Sequence, residues 1–291
     1  MPTIVGLIVV FGAVLGGFAM AGGPFAVLIQ PNELVVIAGA AIGTLVISAP
    51  GKAGRRVLAA LKSGFRPDAP GRTEYLDLLK LLYSVFQVMR RDGVLALEQH
   101  LAEPEKSSIF KRFPGVVRRH HAMDFLVDAL RQLVDGCTPE DLLMLFEADL
   151  ETHQEEHHQP VSLIRTTGDA LPGLGIVAAV LGIVITMSHL DGGPEEIGHH
   201  VAAALVGTFL GILLCYGVFS PIATAIEMNG VATHRYLQCI KDGVLAAARG
   251  TSPELAIEFA RRALFSDERP SSKELEEAFK ALKASAPAEG A

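Results

Sequence analysis

Residues 169–222 read DALPGLGIVAAVLGIVITMSHLDGGPEEIGHHVAAALVGTFLGILLCYGVFSPI, and few side chains in that stretch are equipped for chemistry. Pro172 and Pro221 lack an N–H, so each leaves a carbonyl one turn earlier without its helical partner, open to water or an ion. Thr186, Thr208 and Tyr216 supply hydroxyls among apolar neighbours. Singly, each has a plain structural explanation, since threonine often bonds its own helix and proline often marks only a kink. Together they suggest half of an ion path. A proton relay inside a membrane normally needs an Asp, Glu or His. None lies deep within an apolar run of this sequence, so the acid is expected from a partner chain.

The histidines offer no convincing metal site. His153, Gln154, Glu155, Glu156 and His157 look like a zinc-protease helix in scrambled order. That chemistry needs a Glu directly after the first His, as base beside the metal, and Gln154 stands there. The stretch reads as a polar helix end. His120 with His121, and His199 with His200, read as solvated. Cys137, Cys215 and Cys239 are widely spaced, form no CxxC and read as free thiols. No GxSxG, phosphate-cradling glycine loop or apolar carboxylate pair occurs. Neither an enzyme, a bound metal, an organic cofactor nor a nucleic-acid partner is expected.

The elements that must hold these groups are set by hydropathy. Half of the 291 residues are hydrophobic, and mean hydropathy is +0.37, yet a fifth are charged. Apolar spans and solvated segments therefore alternate. Residues 171–189 and 201–222 carry no charged side chain. At about 1.5 Å rise per residue, each run crosses a hydrocarbon layer of roughly 30 Å. Residues 2–20 form another uncharged run; no Lys or Arg precedes Lys52, so this is expected to be a retained span, not a signal peptide. Residues 21–33 read as a turn, and residues 34–49 as a second, short span closed by Pro50. Gly12 with Gly16, and Gly39 with Gly43, have the spacing that lets helices approach closely in lipid.

The polar remainder is helical as well. Leu76, Leu79, Leu82, Val85, Phe86 and Met89 recur at helical spacing, predicting one buried stripe on a helix over 72–91. Thr138, Pro139 and Asp141 predict a capped helix start, as do Ser252 with Pro253 and Ser271 with Glu274. The last residues, 284–291, read as disordered. Of the 25 Lys and Arg, 16 fall in residues 51–168 and the rest after residue 227. The positive-inside rule places both blocks, and both termini, in the cytoplasm. The expectation is an all-α polytopic protein in four segments: two spans over 1–50, a cytoplasmic helical domain over 51–168, a two-span hairpin over 169–226, and cytoplasmic helices with a tail over 227–291.

Several stretches then carry a family resemblance in order along the chain. QPNELVVIAGAAIG, EYLDLLKLLYSVFQVMRRDGVLALEQHLAEPEKSSIF, the hairpin with YGVFSP, and AIEFARRALFSDERPSSKELEE are similar to the MotA stator subunits of the flagellar motor, within the MotA/TolQ/ExbB proton channel family. The resemblance implies an inner-membrane protein of which five copies surround two copies of MotB. The MotB transmembrane aspartate would carry the ion. It implies that Pro172, Thr208 and Pro221 line the path, to which the hydroxyl of Tyr216 is added from the residue reading above, and that Arg90 and Glu98, beside Arg91 and Asp92, meet the rotor protein FliG. Sodium-driven relatives have a threonine where this chain has Ala179; alanine offers no oxygen to a dehydrating sodium ion, so protons are the implied ion. Two other jobs stay open: a TolQ/ExbB-like subunit that energises envelope proteins, though that family has three spans, and a membrane scaffold without transport.

Overall fold

The computed structural model describes residues 2–49, 51–65, 69–188 and 193–284. The outer end of the expected hairpin, Pro50 and the final residues lie outside them in whole or part, as does the side chain of His199. No strand occurs among the described residues. The helices are α1 (Pro2–Met20), α2 (Phe25–Leu28), α3 (Pro31–Ser48), α4 (Ala53–Phe65), α5 (Arg72–Asp92), α6 (Glu98–Ala102), α7 (Pro114–Val117), α8 (His120–Val134), α9 (Pro139–Met187), α10 (Pro194–Leu214), α11 (Ser220–Ala248), α12 (Pro253–Arg262) and α13 (Ser272–Ala284). A π-turn, Cys215–Phe219, joins α10 to α11. Four helical stretches are long and apolar enough to span a membrane, within Pro2–Met20, Phe25–Ser48, Pro139–Met187 and His200–Ala248.

The second span differs from its expected limits. Helix α3 begins at Pro31, a residue that fits a first helical turn because its missing N–H would have no partner there anyway. Glu33 is therefore inside the helix and not in the preceding turn. Its buried residues, Glu33, Ile37 and Ala41, are four apart and share one face.

The chain divides into two compact units, each made from separate stretches of sequence. One comprises residues 1–68 and 155–229; the other comprises 69–154 and 230–291. These limits cut across the charge blocks: residues 51–65 and 155–168 belong with the apolar unit, and the C-terminal helices belong with the middle of the chain.

In the second unit α5 is central. Tyr75, Leu78, Leu79, Leu81, Leu82, Tyr83, Val85 and Phe86 are all buried, whereas Leu76 and Met89 are only partly so. A single stripe had been expected; packing by α8, α11, α12 and α13 closes a much wider arc. Tyr83 stacks on Phe279 of α13, with ring centroids 4.0 Å apart. Across the same core, Tyr75 meets Tyr236. Arg119, over the Tyr236 ring, pairs with Glu74 at 2.7 Å. The expected caps form: Thr138 Oγ1 accepts from the Asp141 N–H, Ser252 Oγ from Leu255, and Ser271 Oγ from Glu274, whose carboxylate accepts in return from the Ser271 N–H.

Candidate functional site

In the apolar unit, α9 runs antiparallel to α10 and the start of α11, and glycine sets their separation. A β-carbon on Gly175 would stand 2.6 Å from the Gly207 carbonyl oxygen and 3.2 Å from the Thr208 Cα. One on Gly211 would meet the Leu171 carbonyl oxygen at 2.5 Å. Further along α9 Gly182 faces Ala204, and at the other end of the contact Gly168 faces Phe219. Backbone touches backbone over three helical turns, the close approach that small residues allow in lipid. The pairs noted in the sequence behave otherwise: Gly12, Gly16, Gly39 and Gly43 meet nothing of their own chain.

This packing brings the stretch of Pro172 together with that of Thr208, because Leu171 lies on Gly211 and Gly175 on Thr208. Pro172 sits inside α9, and Thr208 is half-buried. Ala179 is 7 % exposed. Tyr216, in contrast, is 69 % exposed on the outside of the π-turn, and Pro221 is exposed in the first turn of α11. Within this chain neither joins the hairpin interior.

The π-turn has a local cause. Pro221 has no N–H, and the Ser220 N–H donates to the Cys215 carbonyl five residues back, so the helix holds one extra residue before the proline. By helix geometry Pro172 loosens the Gly168 carbonyl, and Pro221, following the five-residue bond of Ser220, leaves the Tyr216 and Gly217 carbonyls without its donor. Gly168 packs on Phe219, so the two loosened stretches fall at one level of the hairpin. Thr186 has the bland role: it is 2 % exposed and its hydroxyl donates to the Gly182 carbonyl at 2.9 Å.

One acid within this unit escaped the sequence reading. Glu33 is only 8 % exposed, and its Oε2 is buried without a hydrogen-bond partner. The carboxyl lies where side chains are missing: a β-carbon on Gly207 would stand 2.6 Å from Oε2, and one on Gly182 would stand 3.2 Å from Oε1. Glu33 lies in the first turn of α3, at the edge of the run expected to start at Leu34, and it is buried there. The signal was present as the four-residue spacing of Glu33, Ile37 and Ala41, but it was hidden by starting the span after the charge.

In the other unit, Arg90 and Glu98 are both exposed, at the last turn of α5 and the first turn of α6. Each suits its helix end, a cation at the C-terminus and an anion at the N-terminus. Arg91 grips Asp92 through two donors at 2.8–3.0 Å. His153 is not a solvated helix end: it is 8 % exposed and stacks on His121, centroids 4.7 Å apart. Among the described residues no group of three or more His, Cys, Asp or Glu is arranged to hold a metal ion.

Comparison with known proteins agrees across nearly the whole chain. Residues 4–93 match the Motility protein A N-terminal family, and residues 118–234 the MotA/TolQ/ExbB proton channel family. The chain is 40% identical to Motility protein A of Escherichia coli over 284 residues, covering 97% of this chain and 96% of the relative. It is 35% identical to Chemotaxis protein LafT of Vibrio parahaemolyticus, covering 95% and 97%. The solved structure of MotAB from C. jejuni superposes with a TM-score of 0.79 at 23% identity, covering 93% of this chain and 98% of that one; this establishes likeness of fold. The hairpin, the four apolar helical stretches and the near full-length identity converge: this chain is a multi-pass membrane protein of the Motility protein A family.

Proposed function

We propose that the chain is a flagellar stator subunit that conducts protons together with a MotB-type partner and converts their flow into torque on the rotor protein FliG. The observation that carries this reading is the 40% identity to a Motility protein A along 97% of the chain. The residues fit the job. Pro172 and Thr208 lie on the two packed helices of the hairpin, and Ala179 replaces the oxygen that a sodium path would want. An aspartate of the partner, in a span beside Pro172 and Thr208, takes the proton. Moving one elementary charge through about 100 mV releases roughly 2.3 kcal/mol. That is enough to bias a two-state ring by more than tenfold once a titrating carboxyl couples charge to shape.

In this reading five copies form a ring around two partner chains in the inner membrane, and the basic blocks 51–168 and 227–291 lie in the cytoplasm with both termini. Arg90 and Glu98 then face the rotor. The TolQ/ExbB-like job is the weaker alternative, because the match over residues 4–93 is to Motility protein A itself. The test is proton flux into vesicles. Flux is expected when the chain is co-expressed with a plug-free MotB and absent for the chain alone or with the partner's aspartate removed. Persistent flux from this chain alone would overturn the two-component mechanism. A reporter placed after Glu103 should read cytoplasmic and one within residues 21–33 periplasmic; the reverse would exclude the rotor contact.

A further inference from the structure

We propose that Glu33 is a proton-binding site of this subunit itself, on the outer half of the ion path, so that the ring contributes a carboxyl of its own. This rests on the channel reading above. Three observations carry it. The side chain is nine-tenths buried within an apolar unit, and its Oε2 has no hydrogen-bond donor. It is also seated in a built recess, since the carboxyl fills the space left by Gly182 and Gly207, whose missing β-carbons would also meet Ala204 and Ala178. Finally, Gly207 is the neighbour of Thr208 in α10, so the carboxyl lies against the same helix turn that carries the Thr208 hydroxyl.

A buried acid oxygen with no donor is costly if it stays charged, and each simple structural explanation for it falls short. Glu33 is the third residue of α3, where a glutamate often reaches back to cap its own helix, yet no such bond forms. Among the described residues it forms no ion pair either. The facing stretches, residues 171–187 of α9 and 201–214 of α10, hold no Lys, Arg or His, and α1 holds no ionisable side chain. The nearest titratable group along α10 is His200, one turn outward from Ala204, and the hydroxyl of Thr186 is committed to Gly182. What removes the buried charge in this setting is a proton. Taken from the outer water, that proton converts carboxylate to carboxylic acid; released, it passes to the next acceptor, the partner's carboxylate, and Glu33 returns to its charged form with no other bond made or broken.

The experiment measures proton flux through the complex of full-length chain and plug-free partner while the outside pH is varied. Glu33→Gln keeps the shape and removes the titration; assembly should persist, flux should fall at least tenfold, and what remains should lose its dependence on outside pH. Glu33→Asp restores a carboxyl and should recover part of the flux with a displaced pH midpoint. Wild-type flux and pH profile in Glu33→Gln would overturn the proposal while leaving the channel reading intact. If Glu33→Gln does not assemble, Glu33→Asp decides: a displaced midpoint supports the site, and an unchanged midpoint overturns it. No flux from the wild-type complex would overturn the channel reading and this proposal with it.

Discussion

Gly175 and Gly207 bring α9 and α10 into backbone contact, with room for no β-carbon between the Gly175 Cα and the Gly207 carbonyl oxygen. Gly175→Ala should therefore destabilise the subunit by about 1–3 kcal/mol, the usual cost of forcing a methyl into a packed interface. Gly173→Ala, two residues away where nothing lies within 4 Å, should be neutral or slightly stabilising. Thermal melting of the purified complex separates the two, and equal melting temperatures would show that the close approach is not needed.

Pro172 and Pro221 loosen backbone at one level of the hairpin, and only Pro221 follows a π-turn. Pro172→Ala should abolish swimming while leaving the complex assembled, because the restored N–H re-engages the Gly168 carbonyl and straightens α9. Swimming assays paired with co-purification of the partner measure this. Normal swimming would remove Pro172 from the mechanism.

A rotor contact through Arg90 and Glu98, as proposed, predicts a charge code. Arg90→Glu and Glu98→Lys should each reduce motility at unchanged expression, since exposed charges contribute only about 0.2–1 kcal/mol to stability but set partner choice. At least one opposite-charge change on FliG should restore swimming. Full motility in both single variants would place the contact elsewhere.

Ion choice is tested at Ala179. Wild-type swimming speed should follow the proton gradient and ignore external sodium, measured by cell tracking at fixed proton-motive force. A speed that rises with sodium would contradict the assignment.

Acid sensitivity is expected from α12. Two Arg261 donors at 2.7–2.8 Å, aided by Arg262, pull the Glu258 carboxyl down to about 2. A carboxyl lowered on folding contributes stability that is present above its unfolded range near pH 4–5 and is lost as pH falls toward 2. Because Glu258 is partly exposed, screening reduces this to about 1–2 kcal/mol. The gap in melting temperature between wild type and Glu258→Gln should narrow on acidification from pH 6 to pH 3. A constant gap would show the ion pairs to be idle.

The sequence by itself determined the helical class, the apolar spans and the caps at Thr138, Ser252 and Ser271, because each depends on residues within one or two turns of each other. Hydrophobic runs need no tertiary information, and neither does the pairing of a hydroxyl with an N–H three residues on. It also singled out Pro172, Thr208 and Pro221, since a missing N–H or a hydroxyl in an apolar run is visible in one dimension. Only the tertiary structure decided which glycines matter: Gly175, Gly182, Gly207 and Gly211 are used because another helix arrives there, whereas Gly12 with Gly16 and Gly39 with Gly43 have the four-residue spacing of Gly207 and Gly211 and no such neighbour. The broad burial of α5 arose in the same way, from helices that are distant in sequence, the farthest of them near the C-terminus. Glu33 looked like the last charge of a turn, yet α3 starts before it and the four-residue period carries it onto the face of Ile37 and Ala41. Burial of a charge is decided by what packs against it, and for Glu33 those groups are Gly182 and Gly207, on two helices that the local sequence does not contain.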